Sequence, residues 1–344
     1  MDKCFSTKAV AFACLALLAP LAAMAGTAPL QLIGTTTLPG YTGDFDDLAP
    51  DVAHNRLFMA AEDHGTLEVF NLKSGAHEKT LKTFSTPHTI VYLPKANRLV
   101  VSDSGPRGTR VLDATTYKVV RYIKLEPGAD AMAYAPARGR VYIVTGGDDV
   151  NMKHCYLTEV DPLTGKIYAR REFNSDHTDA IALEPHGKRM FVNIADKGYV
   201  AVINKYTLKD IAKWPIHGAK VNLSMVLDAN DHRLFVVTRK PTRLFVLNTV
   251  NGKQLAMFKT PAVVDAVFYD AKRHRIYVPG AVGKVGVFQQ LDADHYKHIA
   301  DVPSAKGAKS GVFAAGLDRL YLGASPGHER HVGKLVWFHV GAKP

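Results

Sequence analysis

The sequence predicts an all-β fold in which seven small antiparallel sheets stand in a ring, with the last sheet completed by a strand from the N-terminal end. Three observations lead there. A short motif recurs seven times, each recurrence is embedded in strand-like segments separated by turn residues, and the final repeat lacks an outer strand for which a spare segment exists ahead of the first.

The motif is an arginine followed by alternating aliphatic and aromatic residues. Its copies are Arg56-Leu57-Phe58-Met59, Arg98-Leu99-Val100-Val101, Arg140-Val141-Tyr142-Ile143, Arg189-Met190-Phe191-Val192, Arg233-Leu234-Phe235-Val236, Arg275-Ile276-Tyr277-Val278 and Arg319-Leu320-Tyr321-Leu322. Successive copies lie 42, 42, 49, 44, 42 and 44 residues apart. That period suits four-stranded propeller blades, whereas leucine-rich, ankyrin and tetratricopeptide repeats are shorter. Blades are predicted to start near residues 44, 86, 128, 177, 221, 263 and 307.

Within the fourth copy, strands are predicted at 180–183, 189–194, 199–204 and 210–214. Turn-forming Pro185-His186-Gly187-Lys188, Asp196-Lys197-Gly198 and Lys205-Tyr206-Thr207 separate them. The second strand is nearly continuous in β-branched and aromatic residues, the pattern of a strand buried on both faces. After the strand 334–340 only Gly341 to Pro344 remain, which would leave an open edge. Residues 30–35, Leu-Gln-Leu-Ile-Gly-Thr, are the natural strand to cover it.

The segment before that strand reads as a secretory signal. Lys3 and Lys8 precede an apolar run from Ala9 to Met24, and Ala23-Met24-Ala25 offers a small-residue cleavage site. The run is broken by Pro20 and is too short for a membrane span, so residues 1–25 are expected to be removed after Ala25. A single propeller domain, 26–344, is then expected in a periplasm or outside the cell, as a monomer with no transmembrane segment. Cys4 and Cys14 leave with the signal, so Cys155 has no intramolecular partner and is expected to be buried. The formal charge is +11, and losing Asp2, Lys3 and Lys8 leaves +10.

Arg140-Val141-Tyr142-Ile143-Val144-Thr145, Arg233-Leu234-Phe235-Val236-Val237-Thr238 and the turn Asp161-Pro162-Leu163-Thr164-Gly165-Lys166-Ile167 resemble the YVTN-type repeat over essentially the whole mature chain. The resemblance implies a seven-bladed β-propeller of the YncE-like kind, commonly exported from bacteria, and carries over no catalytic residue. The copies depart from the strict consensus at Asn193-Ile194 and Pro279-Gly280.

Equivalent positions of a propeller form rings around the central channel. Ten residues before each repeat arginine stand Asp46, His88, Asp130, Asp179, Leu223, Asp265 and Lys309. Their convergence on one channel mouth would suit a small polar ligand or a divalent metal ion, with Asp130, Asp179, Asp265 and His88 as the candidate ligands of the metal. A recurring aspartate is equally a turn residue that accepts backbone hydrogen bonds. Positions that break the repeat are therefore more informative, namely His88, Lys309 and the nearby His177.

Three loops are expected over the same face: 62–65 with His64, the inserted 146–154 with Asp148, Asp149, Asn151 and His154, and 328–331. The repeat arginines lie on the opposite face, where ion pairs or stacking between blades are expected of them. Gly323-Ala324-Ser325-Pro326-Gly327 matches a nucleophile elbow in letters, but its serine runs from a strand into a loop. No CxxC, HExxH, EF-hand or Walker pattern occurs.

The sequence thus points to an exported binding protein, for a small polar ligand, a metal ion or a protein partner, rather than to an enzyme. One alternative is a lactonase-like metal-assisted hydrolase or lyase using Asp130, Asp179 or Asp265 as ligands and His88 or His177 as acid or base. Another is nucleic-acid or anionic-polymer binding, suggested by the charge and by Tyr168, Tyr199 and Tyr206 among basic residues.

Overall fold

A computed structural model describes Met1 and residues 28–341 of the chain. The expected signal segment and its cleavage site lie, Met1 aside, outside the described residues. Among the described residues, no helix is long and apolar enough to cross a membrane.

The strands assemble into seven four-stranded antiparallel sheets, six of them each built from one repeat in simple up-and-down order and the last completed from elsewhere in the chain. The fourth repeat is representative, with strands Thr178–Leu183, Arg189–Ile194, Tyr199–Asn204 and Asp210–Pro215. Two of these match the expected bounds and the others extend them by one or two residues. Second strands are almost wholly buried, as in Leu57 to Ala61 and Met190 to Ile194.

Seven apolar clusters hold the ring, and each spans one junction between neighbouring blades. Phe58, Leu67 and Val69 of the first blade meet Leu99, Val101 and Leu112 of the second, for example. The cluster between the last and first blades joins Tyr321, Leu335 and Trp337 to Leu57, Met59 and Phe70. Each sheet is thus apolar on both faces, which is why second strands read as continuous rather than alternating.

The last blade takes its outer strand from the N-terminal side. Leu30–Pro39 pairs antiparallel with Val332–Val340, from Leu30 opposite Val340 to Pro39 opposite Val332, with a bulge between Leu32 and Gly34. The closing strand is longer than the 30–35 expected. A Cβ on Gly34 would fall 2.0 Å from Cζ2 of Trp337, and one on Gly75 of the first blade 2.1 Å from Cη2 of the same indole. Trp337 is thus clasped between the closing strand and the first blade, and only glycine permits that approach.

Repeat arginines gather at the end of the ring away from the channel mouth. Five reach the neighbouring blade: Arg56 to the Ala114 carbonyl, Arg189 to Thr249, Arg233 to Ala293, Arg275 to Gly341 and Arg319 to Lys73. Arg98 and Arg140 depart from the expected bridging, since their carboxylate partners, Asp113 and Asp161, belong to their own blades. Ser325 is buried and its Oγ accepts from the Phe45 amide at 2.9 Å. One helical turn, Gly327–Arg330, follows it where a loop was expected, and the hydroxyl serves structure rather than nucleophilic attack.

Candidate functional site: an acidic channel mouth

The first strand of each blade starts at one end of the channel, and backbone bonds fix its approach to the end of the second strand. Asp46 N donates to the Ala60 carbonyl at 2.9 Å, and Asp130 N to that of Val144 at 3.1 Å. The seven ring positions therefore arrive at one level. All of them, Asp46, His88, Asp130, Asp179, Leu223, Asp265 and Lys309, line a single cavity of about 400 Å³. A side pocket of about 290 Å³ adjoins it, shares Glu62, His88, Asp130, Asp149 and His177, and reaches Ser104, Asp148, Asp176 and the thiol-bearing Cys155. Cys155 is buried, as expected, and burial holds its thiol above the usual range.

The ring is chemically two-sided. Toward the later blades, Lys309 Nζ lies 2.7 Å from Asp44 Oδ2 and 3.1 Å from Asp265 Oδ2, while Arg239 reaches Asp265 Oδ1 at 2.8 Å. Asp265 is thus neutralised by two cations, and the geometry does not group it with Asp130, Asp179 and His88 as one ligand set. Toward the earlier blades the carboxylates of Asp46, Asp47, Glu62, Asp130, Asp149 and Asp179 face the cavity with two imidazoles, His88 and His177, among the described lining residues. His88 Nδ1 lies 2.9 Å from Asp46 Oδ2 and 3.7 Å from Asp130 Oδ1, and its Nε2 lies 3.2 Å from Ser104 Oγ. His177 Nε2 lies 3.7 Å from Asp179 Oδ2.

Burial, together with the crowding of like charge in a confined space, governs how these groups hold protons. Burial pushes the Glu62 carboxyl up to about 7, reinforced by Asp46 and opposed by His88. Burial likewise lifts Asp130 to about 8, tempered by His88 and reinforced by Asp179. Asp47 is raised well above the ordinary carboxylate range by burial and by Asp46. On His88, burial favours the neutral ring, but Asp130 and Asp46 outweigh it and hold the imidazole at about 10. The Asp179 carboxylate raises His177 to about 9 against its burial.

Two predicted site residues sit apart from the cavity lining. His64 is exposed and packs against the Tyr41 ring, with centroids 4.3 Å apart, and His154 Nδ1 lies 3.2 Å from the Glu172 carboxylate. The inserted loop does reach the mouth, but through Gly147, Asp148 and Asp149, which lead into the short helical turn Asp148–Val150. Arg239 was missed altogether, and Glu62 and Ser104 were not singled out. All three obey one rule, because six residues after each repeat arginine stand Glu62, Ser104, Gly146, Ala195, Arg239, Ala281 and Ser325. Counting forward to that second ring would have found them.

Fold and site together define a seven-bladed β-propeller with an acidic channel mouth on a basic body. In sequence the chain is similar to a protein of Salmonella typhi named YncE and described as uncharacterized, with 27% identity over 246 residues. The same identity and length hold for YncE of Salmonella typhimurium. The alignment covers 69% of this chain and 63% of those relatives, so it spans less than two thirds of their length. No family model matches. Among solved structures, the WD40 repeats of RRP9 superpose with a TM-score of 0.74 over 90% of this chain and 99% of theirs, and U3-55K with 0.73 over 88% and 98%. Both are 12% identical, which shows the fold alone.

Proposed function

We propose that this chain is an exported binding propeller whose channel mouth captures a small polar ligand carrying positive charge. The observation that supports this reading is the two-sided ring: the mouth's lysine and arginine are engaged by Asp44 and Asp265, while, among the described residues, Asp46, Glu62, Asp130 and Asp179 face the cavity without a lysine or arginine ion pair of their own. A cation entering there offsets both the burial and the mutual repulsion that together lift the Glu62 and Asp130 carboxyls. An anionic polymer would meet the wrong sign of charge at this mouth, however basic the remaining surface. Similarity to YncE supports the propeller reading and names no ligand.

Thermal-shift and calorimetric titration of the purified protein with organic amines, guanidinium compounds and divalent metals tests the reading. Saturable binding that weakens at least about tenfold in Asp130→Asn, Asp179→Asn supports it, a loss of the size found for groups that orient a bound ion. Silence across the whole panel, or binding indifferent to those substitutions, refutes it. Export is tested separately by sequencing the N-terminus of protein recovered from cells, where Gly26 is the expected first residue.

A second reading, a hydrolase of lactone-like molecules, draws on Glu62, whose carboxyl at about 7 is matched to proton transfer near neutrality. Turnover of a lactone panel that disappears in Glu62→Gln would favour it over binding.

A further inference from the structure

We infer that Asp46, Glu62 and His88 form a binding site for one divalent transition-metal ion at the junction of the first two blades. The inference rests on the reading of the mouth as a cation-capturing pocket and specifies its occupant. One donor atom from each of the three residues lies within 4.8 Å of the other two. They come from three separate places in the chain: the start of the first blade, its hairpin between second and third strands, and the first strand of the second blade, Pro87–Leu93.

Each of those places is fixed by the fold. Asp46 is held by its backbone N–H donating to the Ala60 carbonyl, and the Glu62 hairpin is closed by Gly65 N donating to the Glu62 carbonyl at 3.0 Å. Beside His88, Ser102 Oγ takes the Thr89 amide at 2.8 Å and donates to the Thr89 carbonyl at 3.2 Å. A donor set carried on such rigid elements loses little freedom when it closes on an ion.

The imidazole is oriented as a ligand should be. Its Nδ1 faces the Asp46 carboxylate and its Nε2 faces the Ser104 hydroxyl. A metal ion bound at Nδ1 takes the place of the proton shared with Asp46, and that proton leaves to solvent. Nε2–H then donates to Ser104, the outer contact that fixes the tautomer of metal-bound histidine. Cations already present do not compete, since Lys309 is engaged by Asp44 and Asp265, and Arg239 by Asp265.

One nitrogen and two carboxylates suit zinc or manganese better than calcium, which takes six to eight oxygens. Glu62 and His88 also line the adjoining cavity of about 290 Å³, which has room for a second, exchangeable ligand beside the ion.

The test uses the whole protein, freed of metal with a chelator, dialysed, and titrated calorimetrically with zinc, manganese and calcium. We expect saturation at one zinc or manganese ion per chain and weaker binding of calcium. Ser104→Ala should weaken zinc binding about tenfold, and Glu62→Gln and His88→Gln by more. His295→Gln, an exposed histidine paired with Asp292, should leave affinity unchanged. Circular dichroism melts confirm that each variant is folded, and the d–d spectrum of the cobalt-loaded protein should change in His88→Gln. Absence of saturable zinc and manganese binding overturns the inference, as does binding that both Glu62→Gln and His88→Gln leave intact. If organic cations bind the mouth while neither metal does, the metal site falls and the broader reading stands. If nothing binds, both fall.

Discussion

Glu62, Asp130, His88 and His177 all bind protons more tightly in the folded chain than in an unfolded one. Folding therefore takes up protons at these sites, and the stability they contribute is largest at low pH and falls as pH rises. For the two carboxyls the loss runs from the ordinary carboxylate range to about 8, and for the two histidines from 6.5 to about 10. Asp130 keeps 41% of its side chain open to the channel, so solvent screening makes its share modest. In metal-free protein, melting temperatures between pH 5 and pH 10 should decline less steeply for Asp130→Asn, His88→Gln than for the parent; parallel curves would refute the assignment. The arginines act at the opposite end of the ring. Arg233→Met keeps the stem but removes the bonds to the Ala293 carbonyl and Asp294, 2.7 and 2.8 Å long, and should cost about 1–3 kcal/mol in denaturant unfolding. Sequence periodicity placed these arginines correctly, yet it could not tell Arg233, which bridges blades, from Arg98, which does not, because the partner depends on the next blade's outer turn.

The closing strand carries the sharpest prediction among the elements. Deleting residues 26–40 strips Val332–Val340 of its neighbour along the whole ladder, and removes Leu30 and Leu38 from the apolar junctions on either side. The loss is on the order of 5 kcal/mol from the hydrogen bonds alone, so the melting temperature should drop sharply and aggregation through the bared edge should follow. A single methyl tests the same seam more finely. Gly34→Ala drives a carbon into the Trp337 indole and should cost about 1–3 kcal/mol, read as a lower denaturant midpoint without a change in slope. The strand itself was legible from the missing edge at residue 340, but its extension to Pro39 was not. The bulge at Leu32 and Gly34 breaks the alternation from which strand length is read. Hairpin tips show the same limit. Ring residues sit at a fixed count from the repeat arginine because the turn between first and second strands keeps one length, and His88, Asp179, Leu223 and Lys309 fall where the pairing bulges. His64 and His154 lie on hairpins of unequal length, and their direction is set by local contacts with Tyr41 and Glu172.

Across the whole molecule, the repeat determined the architecture while the departures from it determined the site. Seven blades, their order and the convergence of Asp46, His88, Asp130, Asp179, Leu223, Asp265 and Lys309 all follow from one period and one offset. What the period conceals is which like positions become unlike neighbours: Arg239 and Glu62 occupy equivalent places in different blades, and that difference in sign divides the mouth into a neutralised side and an acidic side. The seam at the last blade has a further consequence, for synthesis rather than for stability. Leu30–Pro39 is among the first segments of the ring to leave the ribosome, and its partner Val332–Val340 is among the last. Through nearly the whole of translation the early strand has no place to pair, and the blades made meanwhile form an open arc with two bare ends. The ring locks only when the final strand arrives, so a truncated product ending before Val332 would have six complete blades, two strands of the seventh and no way to close.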